Sequence, residues 1–267
     1  MLSEQKGESH DVAAIITAMT DREEPFLRET MAAVLSDPGI GQVILCIEDK
    51  NTWVDPTLDS LLADPRLKII RMPLVPLGIV RNRALEHVQL PWVAYCDGDD
   101  VWCQGKTLTQ RHYVTATESD FVGADHFLTN ETGKIRAVAI SRYTPMPSAW
   151  MVRTEVMRQY PFVEVPFTLR EEAGDWWLRT EGAIRKVRCP KLLLRYRIRS
   201  GSLSAQTSSM KRKTQIVSLA NIPGLGAIIF LCTGFLWLLT RRKTYVWHLD
   251  WGEQPCAVSP ERASQLS

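Results

Sequence analysis

Asp97-Gly98-Asp99-Asp100 sets three carboxylates at the end of an apolar run, Trp92-Val93-Ala94-Tyr95-Cys96, that reads as a buried strand opened by Pro91. Carboxylates packed this closely repel one another unless they are solvated or a cation sits among their oxygens. At the carboxyl edge of a sheet they suit the holding of Mg²⁺ or Mn²⁺ against a diphosphate. Taken alone, the same four residues also make an ordinary solvated acidic turn. Two more polar clusters follow apolar runs in the same way: Thr17-Ala18-Met19-Thr20 and Glu48-Asp49.

The elements that must position these clusters alternate in type. Residues 12–16 are a short β-rich run, and 24–35 have helical spacing at Phe26, Leu27, Met31, Val34 and Leu35, with Pro25 in the first turn. Asp37-Pro38-Gly39 ends that helix, and 42–47 form the next strand. Asp55-Pro56 reads as the cap and first turn of a helix reaching Ala63. A strand over 67–71, a helix over 79–88, the strand over 91–96 and a helix over 104–115 follow. Repeated β-α-β units imply an α/β fold with a mainly parallel sheet and helices on both faces. Such sheets bind ligands beyond the carboxyl ends of their strands, so the three clusters should meet at one crevice of nucleotide-site type. The second half is less regular: strands over 120–128 and 134–140 flank the hairpin turn Asn130-Glu131-Thr132-Gly133. Pro145, Pro147, Pro161 and Pro166 break the next stretch, a helix spans 172–181, and a cation-rich strand covers 191–199.

The 267 residues suffice for one large α/β domain or two small ones, and a net charge of +2 gives no reason to expect a nucleic-acid partner. The six cysteines have no CxxC pair and read as thiols in a reducing compartment, with Cys46, Cys96 and Cys232 buried in apolar runs. The five histidines lack metal-ligand spacing, and the polar first ten residues contain no signal-peptide core. No charge occurs from Thr214 to Thr240, and 222–240 is strongly apolar. As a helix it would run about 28 Å, close to the ~30 Å hydrocarbon thickness of a bilayer. Lys211-Arg212-Lys213 and Arg241-Arg242-Lys243 flank it, with Tyr245, Trp247 and Trp251 placed to sit at an interface. Membrane contact by a spanning, re-entrant or monotopic helix is the expectation, against a buried core helix as the alternative. The chain thus divides into a polar tail (1–10), an α/β domain (11–205), a basic-flanked apolar segment (206–243) and a C-terminal tail (244–267).

In order and character these motifs resemble the family 2 glycosyltransferases of the GT-A fold, over roughly residues 12–204. Ile15-Ile16-Thr17-Ala18-Met19-Thr20 is similar to the loop that contacts the nucleobase there, which gives Thr17 and Met19 donor contacts; Met19 and Thr20 stand where Tyr and Asn are common. The strand ending in Glu48-Asp49 resembles one whose second acid binds the base, here Asp49. Gly78-Ile79-Val80-Arg81-Asn82 resembles a helix start whose Arg81 would meet the diphosphate. The acidic tetrad, with Trp102 and Lys106 behind it, implies Asp97 at the ribose and Asp97 and Asp99 at the metal. Within Arg170–Arg179, the family's catalytic Asp falls on Ala173, leaving Glu172, then Asp175, as the general base. Tyr196–Ser204 resembles the closing motif, with Arg199 in place of a metal-binding His and so directed to the diphosphate; residues 200–209 would form a flap.

The resemblance implies metal-dependent, inverting transfer of a sugar from a nucleotide-sugar donor, by default a UDP-sugar, to a hydroxyl of a glycan or lipid-linked acceptor in cell-surface glycan synthesis. The cofactor would be Mn²⁺ or Mg²⁺. The place would be the inner membrane with the catalytic domain facing the cytoplasm, or alternatively the soluble cytoplasm. Two other functions compete. A nucleotidyltransferase on a similar sheet would need a Gly-rich basic loop, whereas residues 17–24 hold no Gly and only Arg22. A non-catalytic membrane scaffold would explain Ala173.

Overall fold

Every residue of Val12–Ala18 is buried, as expected of a strand covered on both faces. In the computed structural model, which describes residues 10–140, 146–165, 172–199, 228, 232 and 244–247, this strand is β1. There follow α1 (Glu24–Leu35), β2 (Ile40–Glu48), α2 (Val54–Leu58), β3 (Leu67–Met72), α3 (Leu77–Leu85), β4 (Trp92–Asp97), β5 (Val101–Trp102) and α4 (Lys106–Thr117). The second half adds β6 (Phe121–Thr129), β7 (Ile135–Ile140), β8 (Trp150–Arg153), α5 (Thr154–Gln159), α6 (Glu172–Arg179), β9 (Lys186–Arg197) and β10 (Thr244–Trp247).

The strands make one ten-stranded sheet in the order β10-β7-β6-β8-β4-β1-β2-β3, with β9 pairing both β5 and β6. The expected parallel core is β3-β2-β1-β4. Beyond β4 the sheet is mixed rather than mainly parallel: β8 runs antiparallel to β4 and β6, the β6–β7 hairpin is antiparallel, and β9 is parallel to β6. A hairpin allows no crossover helix, so antiparallel pairing follows from the Asn130–Gly133 turn.

Alternation along β1 sends side chains to two cores. Val12, Ala14, Ile16 and Ala18 pack with Leu27, Met31 and Val34 of α1 and Val54 and Leu58 of α2. Ala13 and Ile15 pack with Val80 and Ala84 of α3, Val156 and Met157 of α5 and Trp176 of α6. Helices therefore cover both faces, and each fully buried aliphatic side chain contributes about 1.5–3 kcal/mol. The second core is aromatic: Trp150 meets Tyr95, Phe121, Phe162 and Trp176 with ring centroids 6.5, 5.3, 6.0 and 5.0 Å away.

Several expectations need correction. Asp55 lies inside α2 rather than capping it, and α2 ends at Leu58, where Asp59 takes φ 43° and a 3₁₀ turn runs on to Ala63. Strand β9 begins at Lys186, not 191; Pro190 is accommodated where the register with β6 jumps from Ala124↔Cys189 to Asp125↔Leu192. Of the apolar run 222–240 only Ile228 and Cys232 are described, both helical and exposed. Among the described residues no helix is long and apolar enough to cross a membrane, so the membrane helix is not supported and most of that segment lies outside the described residues. Within the segment read as a tail, 244–247 form β10 against β7. Cys46, Cys96 and Cys189 are buried free thiols, but Cys232, expected to be buried, is a free and exposed one, and Cys103 is disulfide-bonded.

Candidate donor and catalytic site

β1 and β4 lie side by side with Thr17 opposite Asp97, which brings the first and third polar clusters to one sheet edge. Thr17 Oγ1 donates to Asp97 Oδ1 at 3.2 Å, and the Gly98 amide donates to the Thr17 carbonyl at 2.8 Å. A Cβ on Gly98 would sit 2.8 Å from Ala18 Cβ and 3.0 Å from Thr17 O, so the loop crosses the end of β1 at a distance only glycine allows. Ser148 Oγ accepts from the Asp97 amide (3.1 Å) while its carbonyl accepts from Trp102 Nε1 (3.1 Å). Trp102 and Lys106 serve the core: the Lys106 ammonium is buried, 4.0 Å from the Trp102 ring centroid, and donates to Gln110 Oε1.

Arg81 is 2 % exposed and forks between two carboxylates. Its Nη2 donates to Asp97 Oδ1 and its Nη1 to Glu172 Oε1, both at 2.9 Å. Burial works against its charge, but Asp97 and Glu172 outweigh that and raise its pKa. Arg81 was expected to face a diphosphate from a helix start; it lies in the second turn of α3, enclosed by protein carboxylates.

A second arginine sits on the next acid. Arg199 Nε donates to Asp99 Oδ2 at 2.5 Å, Nη2 to Glu23 Oε1 at 3.0 Å and Nη1 to the Arg22 carbonyl at 2.8 Å. Glu23 is itself fixed by the amide and hydroxyl of Thr20, in a capping box. Burial pushes the Asp99 carboxyl up to about 6, Arg199 opposing and Asp97 and Glu23 reinforcing the shift. Asp100 is fully buried and pushed well above the ordinary carboxyl range by burial and by Asp99 and Asp97; its Oδ1 accepts from the Arg197 amide.

The remaining predicted residues divide. Asp49 directly follows β2, beside β1, and is exposed; Asn51 ties the same loop to the Ala18 carbonyl (3.4 Å). Met19 is 5 % exposed within the aromatic core, so its side chain serves packing. Asp175 does not join Glu172: it accepts from Arg179 Nε at 2.6 Å on the outer side of α6, with both side chains more than a third exposed. Ala173 packs against the aromatic core. The proposed flap, 200–209, lies outside the described residues, as do Arg170 and Glu171 of the acceptor motif. Glu23 and Ser148 were not foreseen as site residues; the Thr20-x-x-Glu23 spacing is a readable signal for the first, and nothing local marks the second.

The acids suit a hard cation in one specific sense. Among the described residues no group of three or more His, Cys, Asp or Glu forms a cage. Mg²⁺, however, is commonly held by one or two carboxylates plus the phosphates of a substrate. Asp97 and Asp99 each present one oxygen to an arginine, and among the described residues none donates to Oδ2 of Asp97 or Oδ1 of Asp99. Around the edge Glu23, Asp97, Asp99 and Glu172 face the guanidiniums of Arg81 and Arg199, while Arg197, whose Nε donates to the Asp99 carbonyl, is paired with Glu29; carboxylates thus outnumber guanidiniums and would repel a bare diphosphate.

The family model described as glycosyl transferase family 2 matches residues 14–171. Among solved structures, S. aureus TarS residues 1–349 with UDP-GlcNAc aligns with a TM-score of 0.58 at 14% identity, covering 86% of this chain and 74% of that one. The same fragment with UDP aligns at 0.56 and 14% identity, over 96% of this chain and 78% of that one. No curated protein sequence matches the chain. At such identity the likeness is one of fold.

Proposed function

The chain belongs to glycosyl transferase family 2, and on that footing we propose that it transfers a sugar from a UDP-sugar to an acceptor hydroxyl with inversion at the anomeric carbon. The observation that carries this reading is the Arg81 fork, which joins an acid of the donor edge, Asp97, to an acid on the acceptor-side helix, Glu172. TarS has been solved with UDP-GlcNAc and with UDP, which supports a uridine donor on this fold.

Thr17 and Asp49 border the place of the base, and Asp97 that of the ribose. Arg81 holds Oε1 of Glu172, leaving Oε2 to accept the proton of the acceptor hydroxyl. The acceptor oxygen then forms its bond to the anomeric carbon as the bond to the phosphate oxygen breaks, and UDP leaves with that electron pair. Asp97 and Asp99 would hold Mg²⁺ or Mn²⁺, which when bound neutralises charge on the leaving diphosphate. Arg199 adds a fixed positive charge beside Asp99.

The acceptor in this reading is a cell-surface glycan or lipid-linked sugar, with the chain at the inner membrane and the catalytic domain facing the cytoplasm. The uncharged segment 214–240 between basic clusters supports that placement. A second reading, a non-catalytic protein that binds the donor, is favoured by Ala173. Product analysis with a panel of nucleotide sugars and acceptors decides. Acceptor-dependent release of UDP supports transfer; release of pyrophosphate from a nucleoside triphosphate points to a nucleotidyltransferase; UDP binding without turnover points to the scaffold. Flotation of the full chain and of a chain ending at residue 205 with anionic vesicles tests the membrane placement.

A further inference from the structure

Resting on the reading of Glu172 as the base, we propose that residues 160–164 are a strap that fixes that base against the donor edge, with Asn82 its positioning residue. The strap lies between two helices and is gripped from both. From α3, Asn82 makes a paired contact with the main chain of one residue: Nδ2 donates to the Phe162 carbonyl at 2.8 Å and Oδ1 accepts from the Phe162 amide at 3.0 Å. The same Nδ2 also reaches Glu164 Oε1 at 3.1 Å. One helical turn earlier, Gly78 lies so close to the strap that an added Cβ would stand 2.4 Å from the Val163 carbonyl oxygen.

From α6 the grip falls on the preceding residues. Trp176 Nε1 donates to the Tyr160 carbonyl at 2.7 Å and Arg179 Nη2 to the Pro161 carbonyl at 2.6 Å. Between the helices the Phe162 ring lies 5.5 Å from the Arg81 guanidinium, the group that holds Glu172. Among the described residues, each side-chain hydrogen bond to the strap's main chain thus comes from a helix bearing one half of the Arg81–Glu172 pair, while the Tyr160 amide donates to the Val156 carbonyl of α5. Gly78 and Asn82 occupy one face of α3 four residues apart, while Arg81 sits on the adjoining face. The arrangement locates α6 by the main chain of the strap, so that the Glu172 carboxylate arrives at Arg81 already placed. A base that strays by about an ångström loses on the order of 10²-fold in rate.

The test uses the full chain. Hydrogen exchange is followed in peptides covering 160–164 and 172–179, UDP affinity is measured by calorimetry, and turnover is followed with the UDP-sugar found active. Asn82→Ala should speed exchange in both segments by about tenfold or more, leave peptides of β1 and β4 unchanged, and keep UDP affinity within about twofold of wild type. Turnover should fall through kcat with the donor KM unchanged. Asn82→Asp keeps the acceptor for the Phe162 amide and loses both donations, so it should lie between Asn82→Ala and wild type. Gly78→Ala should disturb the same two segments through the other grip; if Asn82→Ala does not fold, these two variants decide. Unaltered exchange over 172–179, or UDP affinity falling in step with turnover, overturns the strap. Failure of the wild-type chain to bind UDP at all overturns the donor reading instead, while the exchange data still judge whether the strap holds α6.

Discussion

Asp97 at the end of β4 and Glu172 at the start of α6 accept hydrogen bonds from the same guanidinium, each at 2.9 Å. The two acids belong to different halves of the chain, and the residue between them is almost wholly enclosed. The end of β4 and the start of α6 are therefore held at a fixed separation by one planar group.

Arg81→Met leaves two partly buried carboxylates facing each other without their cation. Breaking such a pair from one side costs about 3–5 kcal/mol, and urea unfolding should read a loss of that order. A loss below about 1 kcal/mol would mean that the fork behaves like a surface ion pair.

Glu172→Gln preserves shape and one acceptor oxygen but removes the proton acceptor. Turnover should drop by about 10²–10⁴-fold, with UDP binding retained in calorimetry. Asp175→Asn should change turnover by less than about twofold, because its partner is Arg179 on the exposed side of α6. The reverse pattern would move the base to Asp175.

The excess of carboxylates at the edge predicts that UDP binding weakens by about tenfold or more when divalent ions are removed with EDTA. Asp99→Ala should abolish the difference between EDTA and Mn²⁺. Equal UDP affinity in both buffers for the wild-type chain would show that the two arginines suffice.

Lys106 gives a pH signature away from the donor edge. Burial lowers its pKa from 10.5 to about 8. Between those values the unfolded chain holds a proton that the folded chain has released, so stability attributable to this group rises with pH. Its cost is in full force below about pH 8 and is gone above about pH 10.5. The stability difference between wild type and Lys106→Met should therefore move in favour of wild type across that window. A difference that stays level from pH 8 to 10.5 would mean that the ammonium is hydrated in the folded state.

Much of the first half was legible because β1, β2 and β4 are covered on both faces and so read as unbroken apolar runs bounded by turn residues. The convergence of Thr17 and Asp97 followed from parallel order alone. The role of Arg81 did not, because helix position suggests an anion site at the surface while its two partners come from elements distant in sequence. Met19 follows an apolar strand directly, and that continuity explains its burial better than the donor contact expected of it. The pairing of Asp175 with Arg179 has the i, i+4 spacing of a helix-surface ion pair, a signal available in the sequence. Strand β8 and helix α5 were missed because each is only four to six residues long and lies among prolines. Hydropathy alone did not separate a membrane helix from other apolar structure at 222–240.

Strand β9 reaches Asp99 and Asp100 only after its step past Pro190. Side chains along a strand alternate, so Arg197 and Arg199 share one side while Tyr196 and Ile198 take the other. Deleting Lys191 alone would advance the rest of the strand by a single place, put Ile198 where Arg197 stands and turn both arginines to the opposite side. Length variation among relatives should thus be tolerated before Pro190 or after the closing arginine, and be scarce between them.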